Sequence, residues 1–408
     1  MNPSRPHASL RSWNVCVAHT PQHAGLYRGI EDFRRGLDGR ILSFDDGRQA
    51  SPTADDRGSL VHVPCSGTLL HRRCHILSQA AAREAGRAVA DADLLIAHSM
   101  FRAHCGWTRD WALCHRRPYW AVPHGCLDPQ GMARRGVWKR LWMWRQGSAF
   151  LADADRVIFA TQRELDKARP WLPAGQRGNQ TAVVHWPVAL PDLADRSRAR
   201  TDVRQRLGIG NDQRILLFVG RLHSTKRVLE TVDAFCTADP AGCHLAVVGM
   251  DGDLTAAQVA AATPAAYGQR VHVVGELAGA TLADMWLAAD GYISLSMKEN
   301  FGYSCAEALA YGLPVILSQG HDLAAELPLG NGQLACGWLL PDGQRSTAIQ
   351  AITQWNEMFG RSDAAAARGR AMQMTGRSWA AENLSFERFQ EQLSALASGL
   401  DDRGGRRP

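Results

Sequence analysis

Residues 214–248 open with Arg214-Ile-Leu-Leu-Phe-Val-Gly220-Arg221-Leu-His-Ser-Thr-Lys226-Arg227 and run on through Val228-Leu-Glu-Thr-Val-Asp-Ala-Phe-Cys-Thr-Ala238 to His244-Leu-Ala-Val-Val248. An apolar run of strand length, a stretch of helix length and a second apolar run make one β-α-β unit. Neither run alternates, so both faces of each strand should be buried, as in a parallel sheet covered by helices. The same alternation recurs on either side. Candidate strands upstream are Asn14–Ala18, Asp93–Ala97, Tyr119–Pro123, Arg156–Ala160 and Thr181–His185; downstream they are Val271–Val274, Gly291–Leu295 and Pro314–Leu317. Helical stretches at Leu282–Ala289 and Ala306–Tyr311 complete further units. There is no internal repeat and no Gly-x-Gly-x-x-Gly. The fold class predicted is α/β, with two doubly wound lobes.

The length of 408 residues fits two domains, at roughly 100–200 residues each. Pro187, Pro191 and the charged stretch Asp192–Arg206 place the boundary in Pro187–Asp212, giving lobes of 1–190 and 191–379. A last helical pattern, 380–398, is expected to pack back on the first lobe, and the Gly/Arg-rich 399–408 to be a disordered tail. The net charge of +6 hides an asymmetry. Residues 1–190 carry 26 Lys+Arg against 16 Asp+Glu, and the remainder carry 20 against 24. The first lobe is therefore strongly basic, at +10, and holds nine of the 13 Trp; the second is slightly acidic, at −4. Such a field matters for partners, not for the fold. No apolar run reaches the roughly 18 residues of a membrane span, and Met1–Trp13 lacks the apolar core of a leader, so a cytoplasmic protein is expected. Ten scattered Cys without a Cys-x-x-Cys pair read as free thiols in a reducing compartment. The cluster Cys65, His71, Cys74, His75 matches no zinc spacing, and no metal is expected.

Two segments of the second lobe carry chemistry. Past the strand ending at Gly220, whose flexibility would allow a tight turn, Arg221 and Lys226 sit where open α/β sheets bind ligands, and two cations there suit a diphosphate. Further on, Met297-Lys-Glu299-Asn300-Phe301-Gly302-Tyr303-Ser304-Cys-Ala-Glu307-Ala-Leu-Ala-Tyr-Gly-Leu-Pro-Val315 places two carboxylates eight residues apart across a loop-to-helix transition. A helix starting near Tyr303 would aim free N–H groups at an anion. Glu299 and Glu307 could accept hydrogen bonds from sugar and ribose hydroxyls. Asp251-Gly-Asp253 reads as a turn after a strand, not a metal site.

Glu-x₇-Glu with an internal Phe-Gly, followed by Glu-Ala-x-Ala-x-Gly-x-Pro-Val, closely resembles the donor-site signature of family-4 retaining glycosyltransferases, above all those of bacterial exopolysaccharide, lipopolysaccharide and capsule biosynthesis. The resemblance implies the GT-B fold, two Rossmann-like doubly wound lobes facing across a cleft. It implies that Arg221 and Lys226 clamp the nucleotide diphosphate in place of a metal ion, with Gly220 in the same loop. Glu299 would hold donor-sugar hydroxyls, and the stretch Asn300, Phe301, Gly302, Tyr303, Ser304 would touch sugar and phosphates. Glu307 would bind the ribose, and residues around Leu277 would flank the base. No separate cofactor is implied: the nucleotide-diphosphate sugar, UDP- or GDP-linked, is the donor substrate.

In the first lobe Pro123-His124-Gly-Cys-Leu-Asp-Pro129 resembles the family motif whose His faces the donor sugar, so His124 is a candidate catalytic residue. Gly25, in His23-Ala24-Gly25, stands where the family has a Gly-Gly loop close to the reacting sugar. The implied reaction moves a sugar onto a lipid-linked or oligosaccharide acceptor with retention. Residues 132–145 read as a basic, Trp-rich helix with Val137, Trp138, Leu141, Trp142 and Arg145 at helical spacing, fit either for an inner-membrane surface or for packing within the lobe. The competing classes are a GT-B phosphorylase or epimerase, a catalytically inactive sugar-nucleotide-binding partner subunit, and a nucleic-acid binder. No pyridoxal lysine or epimerase acidic cluster is visible, the clamp and both Glu are present, and no nucleic-acid platform appears.

Overall fold

A computed structural model of the chain describes residues 10–17, 19–20, 24–45, 59–65, 77–173, 180–330, 332–341, 345–359 and 363–401. The chain divides into two compact units, Met1–Pro187 with Phe386–Pro408, and Val188–Ser385. The first holds a seven-stranded sheet of β1 (Ser12–Val17), β2 (Arg40–Asp45), β3 (Leu60–Pro64), β4 (Leu94–His98), β5 (Tyr119–Val122), β6 (Arg156–Phe159) and β7 (Thr181–Val183). All neighbours are parallel, in the order β3-β2-β1-β4-β5-β6-β7. The second unit holds β8 (Arg214–Val219), β9 (Cys243–Val248), β10 (Val271–Gly275), β11 (Gly291–Ser294), β12 (Val315–Ser318), a small hairpin of β13 (Leu329–Gly330) and β14 (Gln333–Leu334), and β15 (Gly337–Leu340). Its six-stranded parallel sheet runs β10-β9-β8-β11-β12-β15.

Alternate residues of each strand line one face and form the cores. In the first unit these are Trp13 and Val15, Leu42 and Phe44, Leu95 and Ala97, Tyr119 and Ala121; in the second they are Leu216 and Phe218, Leu245 and Val247, Ile293 and Leu295. Each large aliphatic or aromatic side chain buried here contributes about 1.5–3 kcal/mol. The intervening residues are buried too, by helices on the opposite face: Ile96, Trp120, Ile215 and Leu217 are at most 1% exposed. That is why the strands read as unbroken apolar runs.

The amino end of the second sheet is locked by a buried charge cluster. Asp290, just before β11, accepts from the Ile215 backbone N–H of β8 (2.9 Å) and from Arg204 Nη2 (2.8 Å), and pairs with Arg200. Arg204, 1% exposed, also donates to the carbonyls of Gln213 and Ala288. The helix Arg196–Leu207 is thereby fastened across the starts of β8 and β11.

Five strands lie outside the expected set: β2, β3, β15 and the two hairpin strands β13 and β14. The helix expected over 380–398 is two helices, Asp363–Asn383 and Phe386–Asp401, broken at Leu384–Ser385. The Leu384 carbonyl accepts from Val188 N–H (2.9 Å) within the second unit. Only the second helix belongs to the first unit, where Phe389 meets Phe33 edge-on (5.3 Å) and Leu393 crowds Gly36. The tail from 402 onward, Cys74 and most of the 65–75 cluster lie outside the described residues.

Candidate functional site

In the second sheet the connections from β8 and β11 leave in opposite directions along the strand order, and a crevice opens between their carboxyl ends. Two loops start there. The first runs from β8 through Gly220 and Arg221 to a 3₁₀ turn, Ser224–Lys226, before the helix Val228–Ala238. The second runs from β11 through Glu299 to the helix Tyr303–Ala310. Met297 N–H donates to the Thr225 carbonyl (2.8 Å), joining them. Lys226 Nζ pairs with Glu299 Oε1, so the lysine expected at the diphosphate and the first carboxylate of the Glu-x₇-Glu pattern hold each other. Glu299 is anchored by its own backbone: its N–H donates to the Gly320 carbonyl (2.8 Å) and its carbonyl accepts from Asp322 N–H (2.9 Å). Burial pushes the Glu299 carboxyl up, but Lys226 above all outweighs it and holds it below the ordinary carboxylate range.

The β8 loop is mated to the loop after β9. Leu222 N–H donates to the Met250 carbonyl, and Leu254 N–H to that of Leu222. Asp253 accepts from both the N–H (2.7 Å) and the hydroxyl (2.5 Å) of Ser224, and Asp251 from Ala256 N–H. The Asp-Gly-Asp stretch therefore orders the loop that carries Arg221 and Lys226. Gly220 is not in a left-handed conformation; the demand for a glycine falls on its neighbour. A Cβ on Gly249 would lie 1.8 Å from the Gly220 carbonyl oxygen. Arg221 is exposed and forms no ion pair among the described residues.

Gly302 adopts φ +81°, the turn that starts the Tyr303 helix, and as a glycine it offers no side-chain cap to that helix's first N–H groups. These amides and the helix dipole can meet an anion. Phe301 is buried edge-on to Tyr303, and the Tyr292 hydroxyl donates to Ser304 (2.9 Å). Asn300 and Glu307 are half-buried, Glu307 in the helix's second turn. Leu277, half-buried, follows Gly275 at the carboxyl end of β10. His321, which the sequence places only in a stretch like the family's after the signature, is given no site role there. It is fully buried, its Nε2 meets Ser294 Oγ (2.9 Å), and its Nδ1 has no partner. A Cβ on Gly302 would sit 3.2 Å from that nitrogen.

In the first unit His124 follows β5 with φ +50°, a conformation costing a non-glycine residue about 1–3 kcal/mol. Glu164, 4% exposed, secures this turn by accepting from Gly125 N–H (2.5 Å) and Ala160 N–H (2.7 Å). His124 Nε2 is 2.9 Å from His98 Nδ1, and His98 Nε2 is 2.8 Å from Asn14 Oδ1. The relay has one polarity. Asn14 Nδ2 donates to the Arg40 carbonyl (3.2 Å), so Oδ1 faces His98 and accepts from its Nε2–H. Burial, then His124 and His104, holds His98 neutral, which leaves its Nδ1 as acceptor and makes His124 Nε2 the donor. His124, pushed down to about 3 by burial, then presents Nδ1 as a neutral acceptor. Asn14 and His98 were missed as site residues; the only trace in the sequence is a polar residue inside or ending an apolar strand. Gly25 is exposed, with nothing within 4 Å of where a Cβ would stand.

Residues 132–145 are not one helix. Pro129–Ala133 ends before Arg135, which is left-handed (φ +59°); Gly136–Trp142 follows and runs into a π-helical turn, Met143–Gly147. The expected single face is split by this break and turn. Trp142, 5% exposed, packs against Phe101 (5.0 Å), and Trp138 joins the same core. Val137 (84%), Leu141 (55%) and Trp144 (79%) point outward instead, beside exposed Arg134, Arg135, Arg140 and Arg145.

Two Rossmann-like units with these strand orders define the GT-B fold. Among solved structures it is shared with Anabaena Alr3699/HepE in complex with UDP (TM-score 0.71, 16% identity, covering 96% of this chain and 100% of that one). It is shared likewise with a glycosyltransferase from Rickettsia africae ESF-5 (TM-score 0.72, 15% identity, covering 97% and 99%). Residues 199–372, most of the second unit, match the family Glycosyl transferases group 1. A D-inositol 3-phosphate glycosyltransferase from Xylanimonas cellulosilytica is 31% identical over 198 residues, 43% of this chain and 46% of that protein. The chain spans about half the length, or less, of the curated relatives it matches.

Proposed function

We propose that the chain is a retaining glycosyltransferase that moves a sugar from a nucleotide diphosphate, UDP- or GDP-linked, to a lipid-linked or saccharide acceptor in cell-surface polysaccharide assembly. The observation that carries this is the pairing of Lys226 with Glu299 at the crevice between β8 and β11, inside the group 1 domain. A nucleotide sugar offers each what it needs: phosphate oxygens for Lys226 and Arg221, hydroxyl donors for Glu299 and Glu307. As the bond from the anomeric carbon to the diphosphate breaks, negative charge grows on the leaving oxygen. Lys226, Arg221 and the amides at the start of the Tyr303 helix would meet that charge without a metal ion. The acceptor oxygen then bonds to the anomeric carbon from the same side, and its proton passes to the leaving phosphate oxygen. In the first unit the Nδ1 acceptor of His124 suits a sugar hydroxyl.

Thermal-shift screening against UDP-, GDP- and ADP-sugars followed by a transfer assay tests the reading. The expected outcome is stabilisation by one of them and transfer that resists chelation, lost in Lys226→Ala and Glu299→Ala with the fold intact. Retained transfer in either variant, or a strict Mn²⁺ requirement, would overturn it; binding without transfer would mark an inactive partner subunit.

A peripheral membrane location is part of the same proposal. No helix among the described residues is long and apolar enough to cross a membrane. The exposed Val137, Leu141 and Trp144 beside four arginines instead match an anionic lipid surface, apolar groups entering the headgroup boundary and cations meeting phosphates. Flotation on phosphatidylglycerol vesicles should be lost in Leu141→Ser/Trp144→Ser; flotation unaffected by these changes would remove the membrane from the proposal.

A further inference from the structure

We propose that Lys226 and Glu299 exchange partners when a donor binds, and that this exchange makes the site favour a sugar nucleotide over the nucleoside diphosphate left after transfer. The inference rests on the nucleotide-sugar reading above. In the free chain the ion pair neutralises both groups, with 26% of the lysine side chain and 15% of the glutamate side chain exposed. A diphosphate is the stronger attractor for Nζ, because it carries more charge than one carboxylate. Once the lysine turns to it, Glu299 must find other partners.

Few are available. Glu299 is held at both backbone ends by Gly320 and Asp322, which limits its reach toward water. The Ser296 hydroxyl is near, but it has carbonyl acceptors of its own in Thr225 (3.3 Å) and Lys298 (3.4 Å). His321 is the remaining titratable neighbour, and burial keeps it neutral, with its pKa down to about 4. Among the described residues Lys226 is the cation that pairs with Glu299. A buried carboxylate deprived of its cation is costly, and sugar hydroxyls can offset that cost where a bare nucleoside diphosphate cannot. The penalty therefore falls on the product, not on the donor.

The test is isothermal calorimetry at pH 7.5 with UDP, UDP-glucose, GDP and GDP-mannose on the wild type and Glu299→Gln. If the exchange operates, Glu299→Gln binds the nucleoside diphosphate on the order of tenfold more tightly than the wild type, because no charge is stranded. Its affinity for the matching sugar nucleotide rises less or falls. Glu299→Ala carries the same sign for the nucleoside diphosphate should Glu299→Gln fail to fold. In a Lys226→Gln background the gain from Glu299→Gln should vanish. A gain that persists there reports plain charge repulsion and overturns the exchange, as does a Glu299→Gln protein no tighter for the nucleoside diphosphate than the wild type. A wild type that binds none of the four ligands overturns the nucleotide-sugar reading itself.

Discussion

Replacing Lys226 by Met in the ligand-free protein should expose the cost of leaving Glu299 alone. Breaking a buried ion pair by removing one partner typically costs about 3–5 kcal/mol. Here a quarter of the lysine side chain is exposed, so water screens part of that loss and about 2 kcal/mol is the expected destabilisation. In a unit the size of Val188–Ser385 this lowers the melting temperature by roughly 4–8 °C. The loss carries a pH signature. With lysine present, the folded state holds the Glu299 carboxyl below its ordinary range. Without it, burial acts unopposed by that cation and raises the folded pKa above the unfolded value of about 4.3. The deficit is then full above the raised pKa and shrinks as pH falls toward about 4.3, where the proton neutralises the carboxyl in both states. Urea unfolding of the wild type, Lys226→Met, Glu299→Gln and the double variant at pH 7.5 and 4.5 measures this. The double variant should be more stable than Lys226→Met at pH 7.5, and the two should converge at pH 4.5. A Lys226→Met deficit of the same size at both pH values, or one not relieved by Glu299→Gln, would refute the reasoning.

Two further predictions concern the scaffold. His98, His104 and His124 are all shifted down in the folded first unit, whereas unfolded histidines take up protons near pH 6.5, so stability is lost as pH falls from 6.5 toward 4. Each contributes up to about 1.4 kcal/mol per pH unit; His98→Gln should flatten the dependence of the unfolding midpoint, and a wild-type midpoint unchanged between pH 7 and 5 would contradict this. Gly249→Ala must displace the Gly220 carbonyl and should cost more than about 2 kcal/mol, while Gly25→Ala, with open space around it, should melt within a degree or two of the wild type.

Strands buried on both faces were the legible ones: Ile215–Val219 and His244–Val248 announce themselves as apolar runs, and the loops carrying Lys226 and Glu299 follow from the second unit's pattern. Strand β3, Leu-Val-His-Val-Pro, is only partly buried and short, and β15 has two leucines and a tryptophan against which no helix pattern had been set. β2 had a readable signal in Ile41, Leu42 and Phe44. The polar network under His124 was not readable for a different reason. Asn14 and His98 are 84 positions apart, and only the parallel pairing of β1 with β4 makes them neighbours. Likewise the tryptophans of 132–145 were placed by extending one helical period, which the left-handed Arg135 and the π-helical turn interrupt.

The buried Asp290 gives the second unit a common origin from which two rulers are measured. Both β8 and β11 start at that carboxylate, and both end at the loops that carry Lys226 and Glu299. At about 3.3 Å per residue, the ion pair stands some four or five residues of rigid strand away from the point that sets its alignment. Asp290 and Arg204 can therefore govern how well a distant lysine and glutamate face one another without ever approaching a ligand. Changes at the foot of the sheet should be read in the rate of transfer as well as in the melting curve.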